Sequence, residues 1–435
     1  MTPRHILVLL LAAQFGVPCV AAELDHASFS STISYGHGSD IGSSMQASIE
    51  LIPTIDLKFS ESFSLVTSAR IWLDAKDELE PGKPNLDTYS PGSRPLTFGD
   101  TGSGEIRDLF FEMRFDKGVV RIGKQPIVWG QLDGIKVLDL IDPQSFREFI
   151  LDDFADSRIS LWSAYFDFSF GEWRGELAFV PDSTGHAIPE PGAWFELTAP
   201  RFRYGAAPAA NGLPVVTVQP THSLSTLATG LRLSRDFGLA NVSIVAYSGM
   251  DPEWLGRLQA IEGQPSIERF QERREAFGFS LEKTLGAAVL RAEYAYQPER
   301  VFNTRSATEL STVSLDQHRG AVALDIDGPM GVFINLQYLI DSVSEAPAEL
   351  VRPSKDRIAT LYLRKSLIYD SLLLEARWYQ SLTDDDRNVS LGVEFTANDS
   401  TSIALEAQHF SGVQHGLFGQ FVGRDRLVIS LNHTF

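Results

Sequence analysis

Thiols are almost missing from this chain: its 435 residues contain one cysteine, Cys19. That residue lies in the leading segment, so a chain cut after residue 22 has no disulfide framework, no thiolate metal site and no cysteine nucleophile. Long apolar runs are also missing. Nothing after the leader approaches 18 consecutive apolar residues, which excludes membrane-spanning helices. Basic residues are scarce relative to acidic ones, 37 Lys and Arg against 56 Asp and Glu, for a net charge of -19. Such a balance argues against nucleic acid as a partner, because phosphate binding needs basic surface. The sequence has no Gly-x-Ser-x-Gly, His-Glu-x-x-His or phosphate-loop motif. His222 and Ser223 are neighbours on an expected strand, where adjacent side chains point to opposite faces, so they form no dyad. No plug domain fits before the first strand, which excludes a plug-gated transporter. The reading is of a protein that is not an enzyme and has no cofactor and no metal.

What is present begins at the two ends. Met1 to Ala22 carries Arg4 and His5, the apolar run Ile6 to Ala13, and Val20-Ala21-Ala22. A charged head, a short apolar stretch and small residues before the cut read as a secretory signal removed before Glu23. At the other end, Leu427, Ile429, Leu431 and Phe435 alternate with Val428, Ser430, Asn432 and Thr434. Period-two alternation gives one apolar and one polar face. A strand ending on a carboxyl-terminal Phe resembles the closing strand of bacterial outer-membrane barrels, in which Phe435 would be the signal for the barrel-assembly machinery. His433 is the one polar residue in the apolar row.

Eighteen alternating segments follow the leader, at 27–36, 44–59, 63–75, 105–115, 118–126, 158–170, 172–180, 223–235, 239–249, 272–283, 287–297, 310–326, 330–341, 356–367, 371–381, 387–397, 400–410 and 425–435. Segments of about ten residues with this pattern suit tilted membrane strands. Their connections alternate in length. Links such as Ser60-Glu61, Asp116-Lys117, Gly171 and Asn398-Asp399 are short, whereas 76–104, 127–157, 181–222, 250–271, 342–355 and 411–424 are long. A barrel with both termini in the periplasm has short turns on one rim and long loops on the other, and a soluble sandwich has no reason to keep that parity. The expected fold is therefore an all-β, antiparallel, up-and-down transmembrane barrel of about 18 strands (14 to 18 fit). It forms one domain over 23–435, in the outer membrane of a Gram-negative bacterium. Asp251-Pro252 followed by Trp254, Leu255, Leu258 and Ile261 predicts a short capped helix in an outer loop.

With the apolar row facing lipid, the other row faces the lumen. It holds Arg114, Arg121, Arg174, Arg232, Arg291, Glu293, Arg319, Glu375, Arg377, Glu394 and Glu406. Mixed charges of this kind either line an aqueous pore or pair and hold the wall closed. A ring of eighteen strands is too wide for side chains alone to fill, which favours the pore.

The link 127–157 is the most distinctive loop. Asp142 with Pro143 predicts a helix start, with Phe146, Phe149, Ile150 and Phe154 on one face. An amphipathic loop of this kind folds inward as a constriction or caps the outside. On the inward reading the candidate gating residues are Trp129, Asp133, Asp139, Asp142, Arg147, Asp152, Asp153 and Arg158. Asp152, Asp153 and Asp156 match no calcium-loop spacing and read as a solvated acidic face, as does Asp384-Asp385-Asp386.

Gly123-Lys124-Gln125, Trp129-Gly130, Asp139 and Asp142-Pro143 resemble the signature region of a proteobacterial family, domain of unknown function 1302. The chain differs in having Asp142-Pro143 for Asn-Pro and in being shorter. The resemblance implies an outer-membrane barrel without enzymatic role, with hydrophobic or lipid-like cargo and periplasmic transport partners; alginate-export barrels are the neighbouring analogy. Function then reads as a porin-like channel or transporter for small polar or amphipathic solutes. The alternative is a non-conducting structural or surface-interaction barrel whose acidic loops bind divalent ions and lipopolysaccharide. A lipid hydrolase built on His409, with Ser411 and Asn388 nearby, is the weakest of the three readings.

Overall fold

The computed structural model describes residues 22–38, 44–82, 86–150, 156–205, 213–220, 226–261, 263–306 and 309–435. Residues 1–21 of the segment expected to be a secretory leader, and the His222-Ser223 pair, lie outside them. Eighteen long strands follow one another: β1 Glu23–Gly38, β2 Ser44–Ser60, β3 Phe63–Asp74, β4 Gly102–Phe115, β5 Gly118–Gln125, β6 Leu161–Phe170, β7 Trp173–Val180, β8 Ala228–Asp236, β9 Ala240–Met250, β10 Arg273–Leu285, β11 Ala288–Arg305, β12 Leu310–Asp327, β13 Val332–Val343, β14 Lys355–Leu367, β15 Leu372–Ser381, β16 Asp386–Asn398, β17 Thr401–Ser411 and β18 Arg426–Thr434. Each pairs antiparallel with its neighbours in the chain. The ring closes where β18 pairs β1, from Ser30 opposite Thr434 to Gly38 opposite Arg426. Closure leaves no strand edge, the only way a sheet can satisfy its backbone groups inside a bilayer.

The outward row is apolar and open. Ile33, Ile49, Phe111, Met113, Ile122, Ile244, Phe277, Val322, Leu336, Leu391, Leu405 and Ile429 are all exposed. An apolar belt running round the whole molecule is incompatible with water and calls for lipid. Leu427 and Leu431 belong to it with Ile429, and Phe435 is 72% exposed with its ring on Phe29 at 5.7 Å. The His433 anomaly is explained locally. Its ring meets Phe435 edge-on at 4.2 Å, and its Nδ1 is 2.9 Å from the Thr401 hydroxyl.

Four expectations are corrected. The strand expected from 223 starts at Ala228, and the strand expected to end at 297 runs on to Arg305, past a bulge at Gln297/Arg300. No helix follows Asp251-Pro252. Leu255–Ile261 instead forms a hairpin with Gln264–Phe270, which takes Val215–Thr217 alongside. The side-chain amide of Asn303 holds Gly256 extended by bonding its N–H (3.1 Å) and its C=O (2.6 Å), a tertiary contact that overrides the local helix signal. Asp142 caps no helix either. The described residues 142–150 contain no helix, and Gln144 and Ser145 make bridges to Arg158 and Ala187.

Candidate functional site

A lumen eighteen strands wide is more than wall side chains can fill. The link between β5 and β6 fills much of it. Ile127, Trp129, Leu132, Ile135, Val137, Leu138, Leu140 and Ile141 are buried against Leu161, Tyr165, Val245, Tyr247 and Leu339, which point inward from the wall. The wall makes room with small residues: Ala228, Ala276, Ala295, Ala321 and Ala323 lie under the link. At Gly230 a Cβ would meet the Trp129 ring at 2.4 Å, so only glycine fits there.

Polar anchors hold this segment. Glu293, on β11, accepts the backbone N–H groups of Gln131 and Leu138, the latter at 3.1 Å. Arg291 donates to Gln131 O at 3.0 Å and to Asp133 Oδ2 at 2.9 Å. Gln337 donates to Asp133 O, and Arg274 to Leu140 O at 2.7 Å. Within the link, Asp139 accepts Trp129 N–H (3.2 Å) and Gly130 N–H (3.1 Å) and pairs with Arg158. Asp142 accepts Ile127 N–H at 2.8 Å. Burial pushes its carboxyl well above the usual range and the Lys136 ammonium down to about 8.

The link then crosses to the other wall. Glu148 accepts from Arg426 of β18 at 2.6 Å, and the Arg147 guanidinium lies over the Trp72 ring at 4.4 Å. Phe149 packs on Phe421 at 4.7 Å, in an aromatic cluster with Trp194, Phe195, Phe410 and Phe418. From the outer loops, His186 Nδ1 accepts Gln144 N–H at 2.9 Å, and its burial holds the imidazole down to about 3.

Of the sequence-derived candidates, Asp133 meets Arg291, Asp139 joins Trp129 N–H to Arg158, and Asp142 takes Ile127 N–H, while Arg147 is on the far wall. Asp152 and Asp153 lie outside the described residues. The remaining lumen charges mostly pair along the wall. Arg114 and Arg121 both bond Glu112 at 2.7 Å. Arg174 bonds Asp167, and Arg232 meets Glu176 at 3.3 Å. Arg319 meets Asp341 at 3.2 Å, and Arg377 meets Glu375 at 3.4 Å. Glu406 accepts from Ser390 at 2.6 Å, and Glu394 shares the row of Ser390 and Gly392. Sequence reading missed a further group, Arg300 on Asp251 at 2.6 Å and Arg274 beside it at 3.4 Å. These belong to strand ends beyond the membrane, where alternation gives no inward signal. The acidic turn 384–386 has a structural use: Asp386 accepts Phe418 and Gly419 N–H, and Asp384 takes Arg201 and Leu417 N–H.

Beside the link a cavity of about 700 Å³ remains. Its apolar lining comes from two clusters, Ile135, Leu339 and Ile358 in one and Phe149, Leu197 and Phe418 in the other; Arg319, Asp341, Arg352, Arg377 and Glu406 add charge.

No protein-family model matches the chain, and no curated protein does. Among solved structures it is similar to OccAB3 of Acinetobacter baumannii, at 10% identity and a TM-score of 0.52, over 95% of this chain and 99% of that one. It is also similar to OccK2 (OpdF) of Pseudomonas aeruginosa in complex with glucuronate, at 9% identity and a TM-score of 0.52, over 95% and 98%. A looser likeness is to OmpT, an outer membrane protein of Vibrio cholerae, at 10% identity and a TM-score of 0.43, over 95% and 100%. At these identities the likeness is one of fold. This is an outer-membrane β-barrel. Closed ring, apolar belt and short periplasmic turns all follow from that setting.

Proposed function

We propose that the barrel is a non-enzymatic, porin-like channel for small polar or amphipathic solutes, constricted by the link 127–157. The observation that carries this reading is the 700 Å³ cavity between link and wall. Its apolar lining suits a hydrocarbon or ring, and the charged groups among it suit a polar end. Among the described residues, Asp142 Oδ1, Gln337 Oε1 and Asn388 Oδ1 are buried around it without a hydrogen-bond partner, and a solute or water supplies the missing donors. The likeness to domain of unknown function 1302, with lipid-like cargo and periplasmic transport partners, is consistent with an amphipathic solute and is part of the proposal.

One observation favours a second reading. Trp129 and Leu138 are as buried as residues of a soluble core, at 1% and 0% exposure. A link seated this firmly suits a closed, structural barrel. Planar-bilayer conductance of the purified protein separates the two. Deleting 142–156 removes the far anchor at Glu148 and is expected to raise single-channel conductance several-fold. Unchanged conductance in the deletion would refute constriction by the link, and no discrete openings in either form would favour the closed barrel. A liposome-swelling panel of neutral, anionic and amphipathic solutes then sorts the substrates.

A further inference from the structure

Most arginines of this acidic chain are neutralised by a neighbouring carboxylate, in the lumen and in the outer loops alike. Three cations on the outer face are different. Lys355 and Arg357 open β14, and Arg387 opens β16. All three are exposed. Register puts them on the lipid-facing row: Arg357 lies opposite Ile340, and Arg387 shares its row with Val389 and Leu391. Among the described residues, none of the three has a carboxylate within ion-pair distance, and Arg387 Nε donates only to the Ser411 hydroxyl, at 2.9 Å.

Their level in the membrane is set by their neighbours. Tyr338 and Trp378 stand on the same outward row, Tyr338 two residues below Ile340 and Trp378 two below Gln380, the partner of Arg387. Aromatic rings of this kind mark the boundary between hydrocarbon and headgroups. The cations therefore stand one step above the boundary, at the extracellular rim, where the long loops emerge. Arg357 and Arg387 are two strands apart and offset by two residues, about 12 Å between Cα atoms from standard strand spacings. Two arginine side chains with that separation converge on one phosphorylated sugar. Ser411, beside Arg387, offers a further hydrogen-bonding group. Arginine favours phosphate through paired, charge-assisted hydrogen bonds.

We infer that Lys355, Arg357 and Arg387 form a docking site for the phosphorylated glycolipid headgroup of the outer leaflet, binding phosphate directly and without a bridging divalent ion. This site is independent of whether the barrel conducts. An acidic barrel repels an anionic leaflet in general, and a local cationic face gives it one preferred side for these lipids.

The test uses the full-length mature barrel in neutral detergent with EDTA, titrated with lipid A and, separately, with dephosphorylated lipid A, and bound copies are counted by native mass spectrometry. Wild-type protein is expected to bind lipid A at least tenfold more tightly than the dephosphorylated form. The variant R357Q/R387Q should lose most of that preference, whereas Lys283→Gln, on the outward row near the periplasmic rim, should keep it. Heat-modifiable migration on gels confirms that each variant is folded. Equal binding of the two lipids would overturn the proposal in favour of acyl-chain contact alone. An undiminished preference in R357Q/R387Q would overturn the assignment of the site, and binding that needs magnesium in place of EDTA would transfer the role to the acidic loops.

Discussion

Glu293 accepts the backbone N–H of Leu138 at 3.1 Å, a contact between residues 155 apart in the chain. The same carboxylate takes the N–H of Gln131, so one wall side chain satisfies two donors of a segment that has no regular structure of its own. Buried backbone groups need such partners, and each one left without costs about 1–3 kcal/mol. Glu293→Ala removes both acceptors, and the link should loosen. Limited proteolysis of the folded barrel should then cut between 127 and 141 at a rate at least tenfold above wild type. Glu293→Gln keeps one carbonyl acceptor and should fall in between. Equal protection in all three would show that apolar packing alone seats the link.

Gly230 tests that packing from the other side. A Cβ there would come within 2.4 Å of the Trp129 ring, which is 1% exposed. Gly230→Val is expected to displace Trp129 while leaving the barrel wall paired, at a cost of about 1–3 kcal/mol. A variant retaining only Trp129 among its tryptophans should show a red-shifted emission on adding Gly230→Val. On the channel proposal its conductance should also rise. An unshifted spectrum would count against the seating described here.

The pH response of the link depends on His186. Burial holds its imidazole neutral in the seated form, down to about 3, while an unseated imidazole takes up a proton near 6.5. The unseated form therefore binds more protons between those values, and seating weakens as pH falls from 7 to 5. The limit is about 1.4 kcal/mol for each pH unit below 6.5. Asp142 works in the opposite direction, since its raised value makes the seated form the better proton binder as pH falls. Hydrogen exchange at the Gln144 amide, after correction for intrinsic rates, should accordingly respond to acidification in wild type by the difference of these two opposing effects. In His186→Gln it should slow down. Equal pH responses of wild type and His186→Gln between pH 7 and 5 would contradict the assignment.

Phe435 closes the chain with its N–H on the Phe29 carbonyl at 2.9 Å and its ring on Phe29 and His433. These contacts seal the periplasmic end of the β1–β18 seam but bury little of the ring. Deleting Phe435 should cost the finished barrel little stability, yet should cut the yield of membrane-assembled protein several-fold if the residue is an assembly signal. Detergent refolding in vitro separates the effects. Normal refolding with poor assembly in cells supports the signal, and poor refolding assigns Phe435 to the seam.

Strand number, polarity and the lipid-facing row were legible in the sequence because each rests on short-range pattern. Alternation such as Leu427, Ile429 and Leu431 fixes the face of a strand whatever lies opposite it, and the parity of link lengths fixes which rim carries the loops. The lumen charges could be named for the same reason, Arg291 and Glu293 among them. Their partners could not, because Asp133 and Leu138 reach them only after the link has folded inward across the ring. The conformation of that link was decided by tertiary contacts. Asp142-Pro143 has the form of a helix start, but the Asp142 carboxylate finds Ile127 N–H, and Gln144 and Ser145 find strand-like partners in Arg158 and Ala187. A helix would have satisfied its own backbone; here the wall and the outer loops satisfy it instead. One trace of the inward fold is present in the sequence: Ala276, Gly278, Ala295, Ala321 and Ala323 place small residues along the inner row of adjacent strands. Small side chains there leave space for a second layer of chain, and only the closed ring shows which segment occupies it.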